Sequence, residues 1–300
     1  NEMADYLNIA QMKKLQEVLI KNLSDARPEK EQISNQEYLK MFIEAKQIEG
    51  CSARTLQYYQ VTIEHLLKNI DTVIRKITTD EIRTYLAEYQ QRNNCSKVTV
   101  DNVRRNISSF FSWLEEEDYI LKSPMRRIHK IKTKQPVKEI ISDEMIERLR
   151  DNCRCSRDLA MIDLLYSTGI RVGELVGLNI SDIDFEEREC VVYGKGDKER
   201  RVYFDAKAKL HLQNYINSRT DTNPALFVTL DSPYERLKIS GVEIRVRELG
   251  RKLNIEKIHP HKFRRTMATR AIDKGMPIEQ VQKILGHSQI GTTMQYAIVN

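Results

Sequence analysis

Residues 126–138 carry Arg126, Arg127, Lys130, Lys132, Lys134 and Lys138 without one acidic residue, with Pro124 just before the run and Pro136 inside it. Six like charges in thirteen positions repel one another, and proline withholds a backbone donor, so neither a helix nor a central strand is favoured there. The segment reads as an extended basic linker between domains. It divides a chain of 300 residues, about twice the length that one ordinary core organises. By composition alone it fits a solvated connector as well as a track for a polyanion.

Upstream of the linker the apolar residues recur at helical spacing. Residues 3–23 read as a lone amphipathic helix through Leu7, Met12, Leu15, Val18, Leu19 and Leu23, broken by Asp25-Ala-Arg-Pro28. Residues 29–125 then read as a small helical bundle. One helix runs near 35–48 with Tyr38, Phe42 and Ile43, a second is capped by Ser52, and a third is capped by Thr79. A fourth follows Ser96 and puts Val100, Val103, Ile107, Phe110, Phe111 and Leu114 on one stripe.

Downstream, residues 139–300 mix two periods. Helices are expected from Ser142, over 157–167, from Val172, over 206–218, and over 241–253 behind a capping box Ser240-Gly-Val-Glu243. Three more are expected over 260–274, opened by Pro260, over 277–285, opened by Pro277 and closed by Gly286, and over 290–298. Residues 189–204 instead hold two β-type runs around Gly194-Lys195-Gly196-Asp197, which predicts a hairpin. The expected fold is therefore mainly α: an N-terminal helix in 1–28, a helical bundle in 29–125, the linker 126–138, and an α+β domain in 139–300 with a small hairpin or sheet.

The charge balance is 49 basic against 43 acidic residues, a net +6, which permits a polyanionic partner without demanding one. A hydrophobic content of 40% with 31% charged residues describes a soluble globular chain. No run approaches the roughly 18–20 apolar residues of a membrane span, so no membrane association is expected. The opening Asn1-Glu2-Met3-Ala4-Asp5 lacks the basic start of a secretory signal, and five scattered cysteines suit a reducing cytoplasm. Neither His259-Pro-His261 nor Cys153-Arg-Cys155 has the second ligand pair of a zinc site, and there is no phosphate-binding loop of ATP-driven motors. No metal and no cofactor is expected.

Several polar residues in the second half stand out. His261 and Arg264, three apart in the first turn of a helix, share a face at a terminus whose free N–H groups attract anions. Arg171 lies at a break between helices with Glu174 three residues on, Lys195 sits at the hairpin tip between two glycines, His287 follows a helix end, and Tyr296 lies in the last helix. Each has an ordinary structural reading by itself: an ion pair at a helix start, a soluble turn, a packed phenol. Arg104 and Arg105 flank the apolar stripe of the fourth helix and either face DNA or solvent.

Taken in order, Arg171, Lys195, His261-x-x-Arg264, Gly286-His287 and Tyr296 resemble the signature of the tyrosine site-specific recombinases, the phage integrases and Xer-type recombinases. The local contexts are similar too: Ser-Thr-Gly-Ile-Arg171-Val-Gly-Glu174, Gly-Lys195-Gly-Asp-Lys-Glu-Arg200, His-Pro-His261-Lys-Phe-Arg264-Arg-Thr, and Leu-Gly-His287-Ser with Tyr296 nine residues on. The resemblance extends from about residue 35 to the end. It implies a SAM-like helical core-binding domain before the linker and a catalytic recombinase domain after it.

The resemblance implies that Tyr296 attacks a DNA phosphodiester to give a 3′-phosphotyrosine, that Arg171 and Arg264 grip the non-bridging oxygens, and that Lys195 protonates the departing 5′-oxygen. His261 and His287 would assist proton transfer, and Glu174 would orient Arg171 or His261. The inventory is chemically coherent: a phenol with pKa of about 10 needs a cationic surround to attack as phenolate, and planar guanidinium forks suit phosphate oxygens. DNA contacts are expected from Arg104, Arg105, Arg126, Arg127, Lys130, Lys132, Lys134 and Arg200. The expected partners are double-stranded DNA at specific core sites, further copies of a free monomer as a tetramer on two duplexes, and an accessory directionality factor. A prophage or mobile-element integrase is the first reading. A Xer-like resolvase, a relaxing enzyme like a type IB topoisomerase, and a non-catalytic DNA-binding regulator are its alternatives. Two positions depart from the pattern: Arg265 stands where a histidine is common, and the chain stops at Asn300 where relatives usually continue into a tail that docks on a neighbouring subunit.

Overall fold

A computed structural model of the chain describes residues 8–25, 33–133, 139–194, 199–255 and 257–297. The described chain is helical apart from one small sheet, and it divides into two compact units, Asn1–Gln135 and Pro136–Asn300. The mainly helical class with a small sheet is as the sequence predicts. None of the described helices is long and apolar enough to cross a membrane.

The first unit contains α1 (Ile9–Asp25), α2 (Asn35–Ile48), α3 (Ala53–Asn69), α4 (Thr79–Arg92) and α5 (Lys97–Glu116). Each of α2 to α5 begins where a hydroxyl accepts a first-turn N–H: Ser34 from Glu37, Ser52 from Thr55, Thr78 from Glu81 and Ser96 from Thr99. The cap of α4 is thus Thr78, not Thr79. Only Thr78 has a glutamate three residues on, and Glu81 returns a bond to the Thr78 backbone N–H, closing a capping box. The Thr79 hydroxyl donates to the Pro124 carbonyl instead.

The apolar stripe of α5 is fully buried, and its Phe110 meets Phe42 of α2 edge-on, ring centroids 5.2 Å apart. Burial of each such ring contributes about 1.5–3 kcal/mol, which is what holds these amphipathic helices together. The linker begins differently from expectation. Pro124–Arg127 forms a 3₁₀ turn, and Ile128 and Ile131 pack against the core of this unit. The Ile131 N–H donates to Asp101 of α5 at 3.0 Å. Positive charge argued for an extended connector, but the apolar residues interleaved with it anchor its first half. Lys134, Pro136 and Lys138 lie outside the described residues.

The second unit contains α6 (Asp143–Asp151), α7 (Ser156–Thr168), α8 (Val172–Gly177), β1 (Ile183–Asp184), β2 (Glu189–Tyr193), β3 (Glu199–Tyr203) and α9 (Ala206–Asn217). It continues with α10 (Ile239–Lys252), α11 (Pro260–Asp273), α12 (Ile278–Leu285) and α13 (Ile290–Ala297). Helix α7 has no exposed residue, with Met161, Ile162, Leu164 and Leu165 completely buried beside the buried charges of Arg157, Asp158 and Asp163, and it packs against α9 and α11. The predicted hairpin is β2–β3, antiparallel with Val191 opposite Arg201, and the short β1 adds a third strand beside β2. The expected capping box at Ser240 does not form. Helix α10 starts two residues earlier, at Ile239, after Lys238, which makes no side-chain cap.

Candidate active site

Helix α7 ends at Gly169, whose φ of +62° is the left-handed conformation that glycine adopts without a Cβ penalty. The chain turns there and presents Arg171 as the residue immediately before α8. Glu174, in the first turn of α8, accepts the Arg171 backbone N–H at 2.7 Å and the Arg171 guanidinium at 2.8 Å. The pair anticipated from i, i+3 spacing is therefore present. A partner from β3 joins it. Arg200 donates Nη1 to Glu174 Oε1 at 2.7 Å and Nη2 to Glu174 Oε2 at 2.6 Å, a two-pronged fork on one carboxylate.

Helix α11 opens with Pro260 as its first residue, which puts His261 and Arg264 in the first two turns. His261 is exposed, whereas Arg264 is only 3% exposed. The Arg264 guanidinium donates Nη1 to the Gly169 carbonyl at 2.7 Å and Nη2 to the Leu285 carbonyl at 2.5 Å, and Nη2 lies 3.1 Å from His287 Nε2. It thus ties together the end of α7, its own helix and the end of α12. A lysine has no fork with which to make these contacts.

Helix α12 ends at Gly286 in the left-handed region, and the turn delivers His287. The Arg171 Nη2 lies 3.4 Å from the Gly286 carbonyl, so both arginines approach the same turn. His287 Nδ1 meets the buried Thr293 hydroxyl at 2.9 Å, and its ring is stacked on that of Tyr296, centroids 6.0 Å apart and planes 26° from parallel. Tyr296 is half-buried against Ala268, Val281 and Leu285. Beside it a cleft of about 230 Å³ is lined by His261, Arg265, Gln295 and Tyr296.

The charges of this site act on one another. Burial alone would raise the Glu174 carboxyl, but the Arg200 fork and the Arg171 N–H and guanidinium outweigh it and hold the carboxyl below its usual range. Desolvation, with the guanidiniums of Arg264, Arg171 and Arg200, pushes His287 down to about 4, so the imidazole is neutral near pH 7. Arg264 is lowered to about 10, chiefly by burial, and remains a cation. Desolvation, then Arg264 and Arg171, lower His261 as well. The structure therefore brings Arg171, Glu174, Arg264, His287 and Tyr296 into one connected cluster, with His261 lining the same cleft as Tyr296. Lys195 lies outside the described residues.

The residues anticipated at a DNA face divide into two groups. Arg105, with its side chain 64% exposed, and Arg127, Lys130 and Lys132 are on the surface. Arg126 is exposed and ion-paired with Glu115 of α5. Two arginines are not where a surface role needs them. Arg104 is 11% exposed and donates to Asp101 at 2.8 Å, and Arg200 is turned inward onto Glu174. In both cases a buried carboxylate claims the guanidinium, Asp101 one turn back on the same helix and Glu174 in the first turn of α8. Sequence reasoning passed over a further basic group: Arg247 and Arg251 of α10, with Lys257 and His259, line a cavity of about 660 Å³ and are exposed. Their i, i+4 spacing on a helix was the available signal.

Comparisons with known proteins identify the family. Residues 138–300 match the phage integrase family, and residues 38–121 match the N-terminal SAM-like domain of phage integrases. The tyrosine recombinase XerC of Oceanobacillus iheyensis is 30% identical over 282 residues, which span 87% of this chain and 91% of that protein. The crystal structure of the XerA recombinase has 29% identity and a TM-score of 0.51, covering 89% of this chain and 95% of that one. The integrase of the Tn1549 transposon, solved with a circular intermediate DNA, shares the fold with a TM-score of 0.74 at 20% identity, covering 86% and 94%. With the family matched over more than half of the chain's length and Arg171, His261, Arg264, His287 and Tyr296 gathered in one site, the chain belongs to the phage integrase family of tyrosine site-specific recombinases.

Proposed function

We propose that this recombinase cuts and rejoins double-stranded DNA through Tyr296. The phenolate oxygen attacks the phosphorus of one phosphodiester, forming a 3′-phosphotyrosine and releasing a 5′-hydroxyl. Arg171 and Arg264 neutralise the non-bridging oxygens, and Lys195 delivers the proton to the departing oxygen. A neutral imidazole, His261 of the same cleft, accepts the phenol proton. The covalent ester conserves the bond energy, so religation needs no nucleotide and no metal. The observation that carries this reading is the packing of Tyr296 against His287 while His287 contacts Arg264, which joins the nucleophile to the cationic cluster.

The core-binding domain (29–125) and the basic linker (126–138) track the DNA backbone, as does the exposed α10 cluster, and the catalytic domain (139–300) works as one of four copies on two duplexes, in the cytoplasm. We take the biological reaction to be integration or excision of a prophage or mobile element, assisted by a directionality factor. The structural likeness to a transposon integrase supports that reading. The second reading is chromosome or plasmid resolution, favoured by the sequence likeness to XerC proteins.

A plasmid with two direct copies of DNA flanking the gene tests the proposal. Metal-free and ATP-free deletion between the copies, absent with Tyr296→Phe, is the expected result. Relaxation of a plasmid lacking those flanks points to a topoisomerase instead. DNA-dependent activities that survive Tyr296→Phe point to a regulator.

A further inference from the structure

Arg200 has the geometry of a residue that holds others in place. Its three guanidinium nitrogens are all engaged: Nη1 and Nη2 fork the Glu174 carboxylate, and Nε donates to the Ile284 carbonyl near the end of α12 at 2.9 Å. Only 11% of the side chain is exposed, and its partner Glu174 is 4% exposed. Glu174 in turn holds both the backbone and the guanidinium of Arg171. The other contact of Arg200 leads to the turn that carries His287. Gly286 sits there with φ +62°, and a Cβ on it would come within 3.0 Å of Arg200 Cδ and 3.2 Å of its Nε. The turn is packed directly on the Arg200 side chain.

We propose that Arg200 is a positioning residue of the recombination site, setting Arg171 through Glu174 and the Gly286–His287 turn through Ile284, so that β3 fixes two phosphate-facing groups at once. This rests on the strand-transfer reading above and extends it to a residue that does not touch the phosphate. An arginine is required because only a planar fork can satisfy both oxygens of one carboxylate while a third N–H reaches a carbonyl. A misplacement of about 1 Å in the groups that grip the phosphate costs on the order of 100-fold in rate.

The test is single-turnover formation of the covalent DNA adduct on a nicked duplex drawn from the gene's flanks, with the full chain. Arg200→Gln should slow adduct formation by about 100-fold, and Arg200→Lys should recover only a small part of that loss although the charge is kept. Glu174→Gln should add little further loss in the Arg200→Gln background, because both act through one chain of contacts. The dependence of DNA affinity on salt should be unchanged, which separates positioning from a phosphate contact. The groups facing Glu174 are Arg171, Arg200, Arg264 and the Cys190 thiol. Losing the Arg200 fork should therefore raise the pH at which activity falls on the acid side.

Thermal unfolding of Arg200→Lys controls for folding. A folded variant with wild-type rate and pH profile overturns the assignment, as does a reduced salt slope. If the wild-type protein forms no adduct on DNA that it binds, the strand-transfer reading falls, and the role of Arg200 falls with it.

Discussion

Arg264 Nη2 lies 3.1 Å from His287 Nε2, and this single contact dictates the state of the imidazole. A guanidinium only donates, so Nε2 must present its lone pair and the ring proton resides on Nδ1, directed at the Thr293 hydroxyl 2.9 Å away. The neutral ring agrees with a pKa pushed down to about 4 by desolvation and the adjacent arginines. Nitrogen-resolved NMR of the histidines should find His287 as the Nδ1–H tautomer from neutral pH down to about 4. An imidazolium at pH 6 contradicts this account.

The same shift has a consequence for stability. His287 is harder to protonate folded than unfolded, so the unfolded chain binds the extra proton. The contribution is fully present above the ordinary histidine value of about 6.5 and is lost as pH falls from there toward about 4. Denaturant midpoints should decline over that window, and His287→Asn should flatten the decline.

Arg264 serves both fold and chemistry. Arg264→Ala removes the donor from the Gly169 and Leu285 carbonyls, and should cost roughly 2–4 kcal/mol in chemical denaturation. Arg264→Lys keeps a charge without the fork. It should reduce adduct formation by at least about 100-fold while DNA binding persists.

The basic residues of the first unit should separate in salt titrations. Replacing exposed Arg105, Lys130 or Lys132 with glutamine should lower the slope of log affinity against log salt by about 0.9 for each DNA phosphate that is no longer neutralised, with the fold intact. Arg104→Gln should instead lower the unfolding temperature, since it strips Asp101 of its close partner. Equal behaviour of Arg104 and Arg105 would contradict their different burial.

Much of this architecture was legible in the chain itself. The α5 stripe from Val100 to Leu114 declared a buried helix face, and the Gly- and Lys-rich turn at 194–196 declared the hairpin. The signature residues were legible only as an ordered set, because no single one exceeds what packing or solubility explains. Local rules failed where the deciding partner is distant in sequence. Arg200 reads as a surface cation until Glu174, 26 residues earlier, folds beneath it, whereas the partner that claims Arg104 is Asp101, only three residues away and open to the i, i+3 rule. At Ser240 the capping-box pattern matched. But α10 begins at Ile239, and Glu243 faces His259 and His261 electrostatically instead of closing a cap. The Thr78–Glu81 box, by contrast, was readable from the same rule and lies one residue before Thr79.

The most direct test of the central claim is covalent capture. Labelled, nicked duplex from the flanks of the gene is mixed with the protein and run on a denaturing gel beside Tyr296→Phe, and the DNA-linked peptide is identified by mass spectrometry. A nucleophilic Tyr296 predicts a protein–DNA band for the wild type, none for Tyr296→Phe at equal DNA affinity, and a phosphodiester on Tyr296. A band that persists in Tyr296→Phe, or a DNA link mapped to another residue, contradicts it.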